Sequence, residues 1–97
     1  MKIVNGWLDA AILDKAKLKY EVALRPELVV VHYGVTRDLP ELRRAQHDSG
    51  FYAHFSIDGF NGTKQIAQMV SCKLRASHAG VSEWRGRKSC NAFSIGI

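Results

Sequence analysis

Leu28-Val-Val-Val-His32 is an unbroken, largely β-branched run that ends on a histidine. Apolar residues without polar alternation mark a strand covered on both faces, which places residues 28–32 at the centre of a sheet. His32 then falls near the strand's carboxyl end, where α/β folds present their ligands. A second stretch, Ser77-His-Ala-Gly-Val-Ser-Glu-Trp-Arg-Gly-Arg-Lys-Ser-Cys-Asn-Ala-Phe-Ser-Ile-Gly-Ile97, puts His78 in a glycine-containing loop that leads into a short apolar strand at 93–97. The sequence stops there with no turn signal or polar tail, so the expectation is a chain that ends within its own sheet.

Working outward from the first strand, Arg25-Pro26 breaks the chain before it, and Asp38-Leu-Pro-Glu41 offers an N-cap aspartate, an early proline and a capping-box glutamate after it. A helix of about ten residues should follow and stop at Ser49-Gly50. Residues 52–57 alternate as a strand, Asp58-Gly-Phe-Asn-Gly62 carries both Asp-Gly and Asn-Gly turn signals, and residues 63–70 return as the partner strand of a hairpin. Residues 71–93 read as one long loop of the kind that carries function. Residues 8–19 fit a short helix or an extended arm equally well. The fold class expected is α/β, a mixed central β-sheet with flanking helices, in one partial domain over residues 1–97.

With 46% hydrophobic and 24% charged residues, the 97-residue chain has the composition of a soluble globular protein rather than a disordered one. The run at 28–31 is far short of a bilayer span, and the amino terminus has no signal-peptide core. The expectations are no membrane association and a cytoplasmic location, with a phage-type lysin as the other setting. Cys72 and Cys90 match neither a disulfide framework nor a zinc ribbon and are read as reduced. Residues 61–97 hold six Lys or Arg against the single Glu83, so the net charge of +5 lies in the last third. That part should face an anionic partner. Nucleic acid is not the expected one, because no helix-turn-helix, zinc-finger or ribonucleoprotein signature accompanies the charge.

On local pattern alone, His32 fits either a core histidine satisfied by one hydrogen bond or a ligand at a strand end. Alternation places Tyr52, His54 and Ser56 on one strand face, where His54 could line the same cleft or support a ligand. His78, beside Ala79-Gly80, lies where backbone can approach a bound molecule closely. His47, late in the helix, complements the helix dipole and is given no catalytic role.

These pieces together resemble the type-2 N-acetylmuramoyl-L-alanine amidases, zinc hydrolases of peptidoglycan. The resemblance rests on Val29-Val-Val-His-Tyr33, Ala53-His-Phe-Ser-Ile-Asp-Gly59, His78-Ala-Gly-Val-Ser82, Gly86-Arg87 and Cys90-Asn-Ala-Phe-Ser-Ile-Gly-Ile97, in that order. Gly6-Trp7-Leu8 is similar to the branch that recycles anhydro-muropeptides. The resemblance implies zinc as cofactor, His32 as its first ligand, His78 as a wall of the substrate groove, and His54 in support. Arg87 and Lys88, with Arg75 and Arg85, would meet stem-peptide carboxylates. Ala53 stands where other branches carry a catalytic tyrosine, which favours the recycling branch and its glutamate base.

In that family the glutamate follows the segment matching Ser94-Ile-Gly-Ile97, and two further zinc ligands and a lysine lie downstream, so no catalytic residue is expected within residues 1–97. The implied reaction is hydrolysis of the amide between N-acetylmuramic acid and L-alanine in peptidoglycan or muropeptides, with the 97 residues alone inactive. The alternative is a non-catalytic peptidoglycan-binding module.

Overall fold

The computed structural model describes residues 1–32, 38–58 and 65–97. Tyr33, Gly34 and the hairpin turn expected at 59–62 lie outside them. The amino terminus opens with a small hairpin, β1 (Ile3–Val4) against β2 (Trp7–Leu8), closed by Asn5 and Gly6 at φ 53° and 84°. Asn-Gly in this conformation matches the right-handed twist of paired strands. The signal is plain in the sequence, although the sequence reading passed over it.

The chain continues as an extended arm, which settles the ambiguity of residues 8–19. Its strand β3 (Ile12–Leu13) runs parallel to β6 (Gln65–Gln68), and the ladder continues through Asp14 N–H to Gln68 C=O and Ala16 N–H to Met69 C=O. β6 pairs antiparallel with β5 (Phe55–Asp58), the expected hairpin, in the register Ser56 opposite Ala67.

One helix, α1 (Leu39–Ser49), packs on this sheet. Asp38 caps it by accepting from the Glu41 N–H at 2.9 Å, and Gly50 ends it in the left-handed conformation at φ 76°. Both ends are as the sequence predicts. Leu39 and Gln46 are its buried residues. Gln46 donates to Ser56 Oγ at 2.9 Å and accepts from the Ala53 N–H at 2.8 Å, which pins the helix to β5. The apolar cluster beneath comprises Ala16, Tyr52, Met69, Val70 and Ala76, with Leu18 and Leu74 packed against it.

The strand β4 (Leu28–Val30) pairs in parallel with β9 (Ser94–Gly96), and Glu27, His32 and Ile97 extend the ladder at both ends. It is not covered on both faces. Val29 is 55% and Val31 79% exposed, while Leu28 and Val30 are half-buried. Alternate side chains of a strand leave on opposite sides, and among the described residues no element lies over the Val29 and Val31 side. β5 behaves similarly, because its polar residues Ser56 and Asp58, like His54 just before it, are buried whereas Ile57 is 56% exposed.

The segment read as one long loop also holds structure. It contains a second small hairpin, β7 (Glu83–Trp84) with β8 (Arg87–Lys88), and a 3-10 turn at Cys90–Ala92. Arg85 and Gly86 take positive φ at its tip. Cys72 and Cys90 are free, as expected. Among the described residues no helix is long and apolar enough to cross a membrane.

Candidate functional site

β9 is the hinge of the site because it is held from both sides. Its Gly96 opposes Val30 of β4, and its backbone carbonyl accepts from the His54 N–H at 3.0 Å. Three imidazoles converge here. His32 follows β4, His54 precedes β5, and His78 ends the crossing from β6. The ring centroids of His32 and His78 lie 5.1 Å apart, and those of His54 and His78 5.8 Å apart.

His54 is fully buried and both ring nitrogens are committed. The Gly96 N–H donates to Nδ1 at 3.0 Å, so Nε2 carries the hydrogen and donates it to the Leu74 carbonyl at 2.7 Å. Burial pushes its pKa below the ordinary value against the opposing effect of the Leu74 hydrogen bond. His54 is therefore a neutral pin between β9 and the 71–78 crossing.

His78 is positioned by Asn91, whose Oδ1 accepts the N–H groups of His78 at 3.1 Å and Ala79 at 2.9 Å while its Nδ2 donates to the Ala79 carbonyl at 2.7 Å. The ring rests directly on Gly96, where an added Cβ would collide with the imidazole. His78 Nε2 is 3.1 Å from Ser94 Oγ, and Nδ1 is 2.9 Å from His32 Nε2. Burial, assisted by the neighbouring His32 and His54 and opposed by the hydrogen bond to Ser94, lowers its pKa to about 4. His32, by contrast, is exposed.

The sequence reading singled out the three histidines, and the fold brings them together. Asn91, Ser94 and Gly96, which hold them, entered it only as part of the Cys90–Ile97 motif, with no role of their own. Their signal was faint: a serine and a glycine two positions apart in one strand share a face, but nothing local says which side chain that face meets. Arg87 and Lys88 sit apart, exposed on the β7–β8 hairpin. Arg87 pairs with Glu27 at 2.7 Å and lies over the Phe93 ring at 4.0 Å, so it already has protein partners. A groove of about 480 Å³ runs past Ser77 and Asn91, the residues that flank and hold His78, and Lys17, Lys19 and Arg75 line it.

Zinc can be weighed against these residues. A catalytic zinc takes three protein ligands and keeps a position open. His32 offers an exposed imidazole suited to one of them, but among the described residues no three His, Cys, Asp or Glu side chains are grouped to hold a metal. The described residues therefore do not by themselves make up a zinc site.

The chain is similar to known proteins in sequence and in fold. The family profile described as N-acetylmuramoyl-L-alanine amidase matches residues 22–97. The 1,6-anhydro-N-acetylmuramyl-L-alanine amidase AmpD of Escherichia coli is 58% identical over 33 residues, 34% of this chain and 18% of AmpD. The N-acetylmuramoyl-L-alanine amidase AmiD of the same organism is 30% identical over 89 residues, 88% of this chain and 32% of AmiD. The crystal structure of a selenomethionine derivative of AmpD superposes on all of this chain with a TM-score of 0.78 at 30% identity, and the chain covers 64% of it. The matches thus span a third or less of these curated relatives. A profile match over most of the chain, a superposition on AmpD that takes in the whole chain, and the quoted motifs in unbroken order place this chain in the type-2 N-acetylmuramoyl-L-alanine amidase family, on the side of its anhydro-muropeptide branch.

Proposed function

We propose that this chain is the portion of a zinc-dependent amidase that carries the first metal ligand and one wall of the substrate groove. The substrate is the amide between N-acetylmuramic acid and L-alanine in peptidoglycan fragments or muropeptides. The observation that carries this reading is His32, exposed at the end of β4 and buttressed by His78, within a fold that matches AmpD over the whole chain.

Each residue has a role in this reading. His32 binds the metal. His78 and the cationic groove bind and orient substrate, His54 supports the cluster, and Arg87 and Lys88 meet the stem-peptide carboxylates, Arg87 by exchanging Glu27 for the ligand. The glutamate and lysine that the family uses are expected outside residues 1–97. Since catalytic groups acting as a unit lose nearly everything when one is missing, these residues alone should not cleave.

The second reading, a non-catalytic peptidoglycan-binding module, draws on the groove beside a single ligand. One pair of measurements separates them. Residues 1–97, and a chimera continuing them with the carboxyl-terminal part of Escherichia coli AmpD, are assayed for release of L-alanine-headed peptides from anhydro-muropeptide with added zinc. The amidase reading expects an inactive short chain and an active chimera that His32→Ala abolishes. A chimera that folds and binds muropeptide, yet stays active after His32→Ala, would overturn it.

A further inference from the structure

The hydrogen bonds around His78 can be assigned from one end to the other. The Ser94 hydroxyl donates to the Cys90 carbonyl at 2.6 Å, which uses its only hydrogen. Toward His78 Nε2, 3.1 Å away, Ser94 Oγ can therefore only accept, and so can the Ser94 carbonyl at 3.4 Å. His78 Nε2 must carry the hydrogen. In the neutral ring Nδ1 then bears the lone pair, and His32 Nε2, 2.9 Å from it, must be the donor. The consequence for His32 is that its neutral form keeps the free electron pair on Nδ1, the nitrogen for which no described residue provides a partner.

We propose that His78, backed by Ser94, is a positioning residue that fixes the tautomer and ring orientation of His32, so that Nδ1 is the atom His32 offers to a metal. This goes beyond His78 as a groove wall, and it rests on the reading of His32 as a ligand. An imidazole that donates through its other nitrogen is oriented and made more basic toward a metal. Among the described residues His78 is the hydrogen-bond partner of the exposed His32 ring, whereas His78 itself is held by Asn91, Gly96 and Ser94. The buttressed ring therefore orients the exposed one. His54 contributes one step further back, because its two backbone hydrogen bonds set the position of Gly96, the floor on which the His78 ring lies.

The test is long-range ¹H–¹⁵N spectroscopy of the ¹⁵N-histidine-labelled 97-residue chain at about pH 8, above the ordinary imidazole range, with and without zinc chloride. The expected wild-type spectrum shows His32, His54 and His78 all protonated at Nε2, and zinc shifts the His32 Nδ1 signal. In His78→Ala the His32 signals should move to the average of two exchanging tautomers, and the zinc midpoint should weaken by about ten-fold or more. In His78→Gln, whose amide can both accept from His32 and donate to Ser94, the Nε2-protonated His32 should return. A role for His78 in folding alone would not produce this split between Ala and Gln while the His54 signals stay in place. If the Ala variant does not fold, the wild-type and Gln spectra still decide. An averaged or Nδ1-protonated His32 in the wild type, or an unchanged His32 in a folded Ala variant, would overturn the proposal. Correct tautomers with no zinc effect on Nδ1 would leave the positioning intact and count against His32 as a ligand.

Discussion

Asp14 and His47, thirty-three positions apart, meet side chain to side chain, with His47 Nε2 2.8 Å from Asp14 Oδ1. The other carboxylate oxygen accepts from Arg43 Nε at 2.7 Å, and His47 Nδ1 lies 3.1 Å from the Tyr52 hydroxyl. One carboxylate thus ties the amino-terminal arm to α1, and the same histidine links α1 to the core through Tyr52. His47, read from sequence as a cation that merely complements the helix dipole, is a structural clamp.

Asp14→Ala should therefore loosen the arm. The cluster is partly exposed, so the expected cost is about 1 kcal/mol rather than that of a buried ion pair. Chemical denaturation measures the loss, and faster amide exchange at Asp14 and Ala16, whose N–H groups bond to Gln68 and Met69, should localise it.

Gly96→Ala should be far more damaging than an exposed Gly→Ala change, because the new methyl would occupy the space of the His78 ring. Overpacking of this kind costs about 1–3 kcal/mol. Either His78 leaves Ser94 and His32, or β9 shifts away from His54. A lowered melting temperature together with altered His78 ring signals checks this, and a wild-type spectrum would contradict it.

Gln46→Ala should leave the buried Ser56 hydroxyl and the half-buried Ala53 N–H without their Gln46 partner. An orphaned buried polar group costs about 1–3 kcal/mol. The unfolding free energy from chemical denaturation should fall by that amount, with the loss confined to the contact between α1 and β5.

Acid should destabilise the fold in two stages. His54 and His78 are held neutral, with folded pKa values below the ordinary 6.5 and that of His78 at about 4, so the unfolded chain binds protons in this window and the folded chain does not. Stability is then full above about pH 6.5 and falls as the pH drops toward 4. Asp14 acts later. Burial raises its pKa, but the hydrogen bonds and charges of Arg43 and His47 prevail and lower it, so its contribution persists above the ordinary carboxylate pKa and is lost only at still lower pH. Denaturant midpoints across pH check both stages, and His54→Gln should flatten the first.

The helix was legible in the sequence to within a residue at each end. Asp38, Pro40, Glu41 and Gly50 act on backbone groups no more than four positions away, so their meaning does not depend on the rest of the fold. The pairing of β5 with β6 was legible as well, and so would the turn at Asn5-Gly6 have been. The burial of residues 28–32 was misread because an apolar run reports what a strand can pack against, not what lies over it, and Val29 and Val31 face outward here. The histidine cluster was legible only as a set of candidates. Their assembly depends on β4 pairing in parallel with β9, which carries His32 to a ring 46 positions away, and on Ser94 and Gly96 sharing the face that meets His78. A side chain's tautomer follows from its hydrogen-bond partners, and those partners come from distant strands. The sequence therefore determined which imidazoles this protein has and on which elements they ride, while the tertiary structure alone decided which nitrogen each one presents.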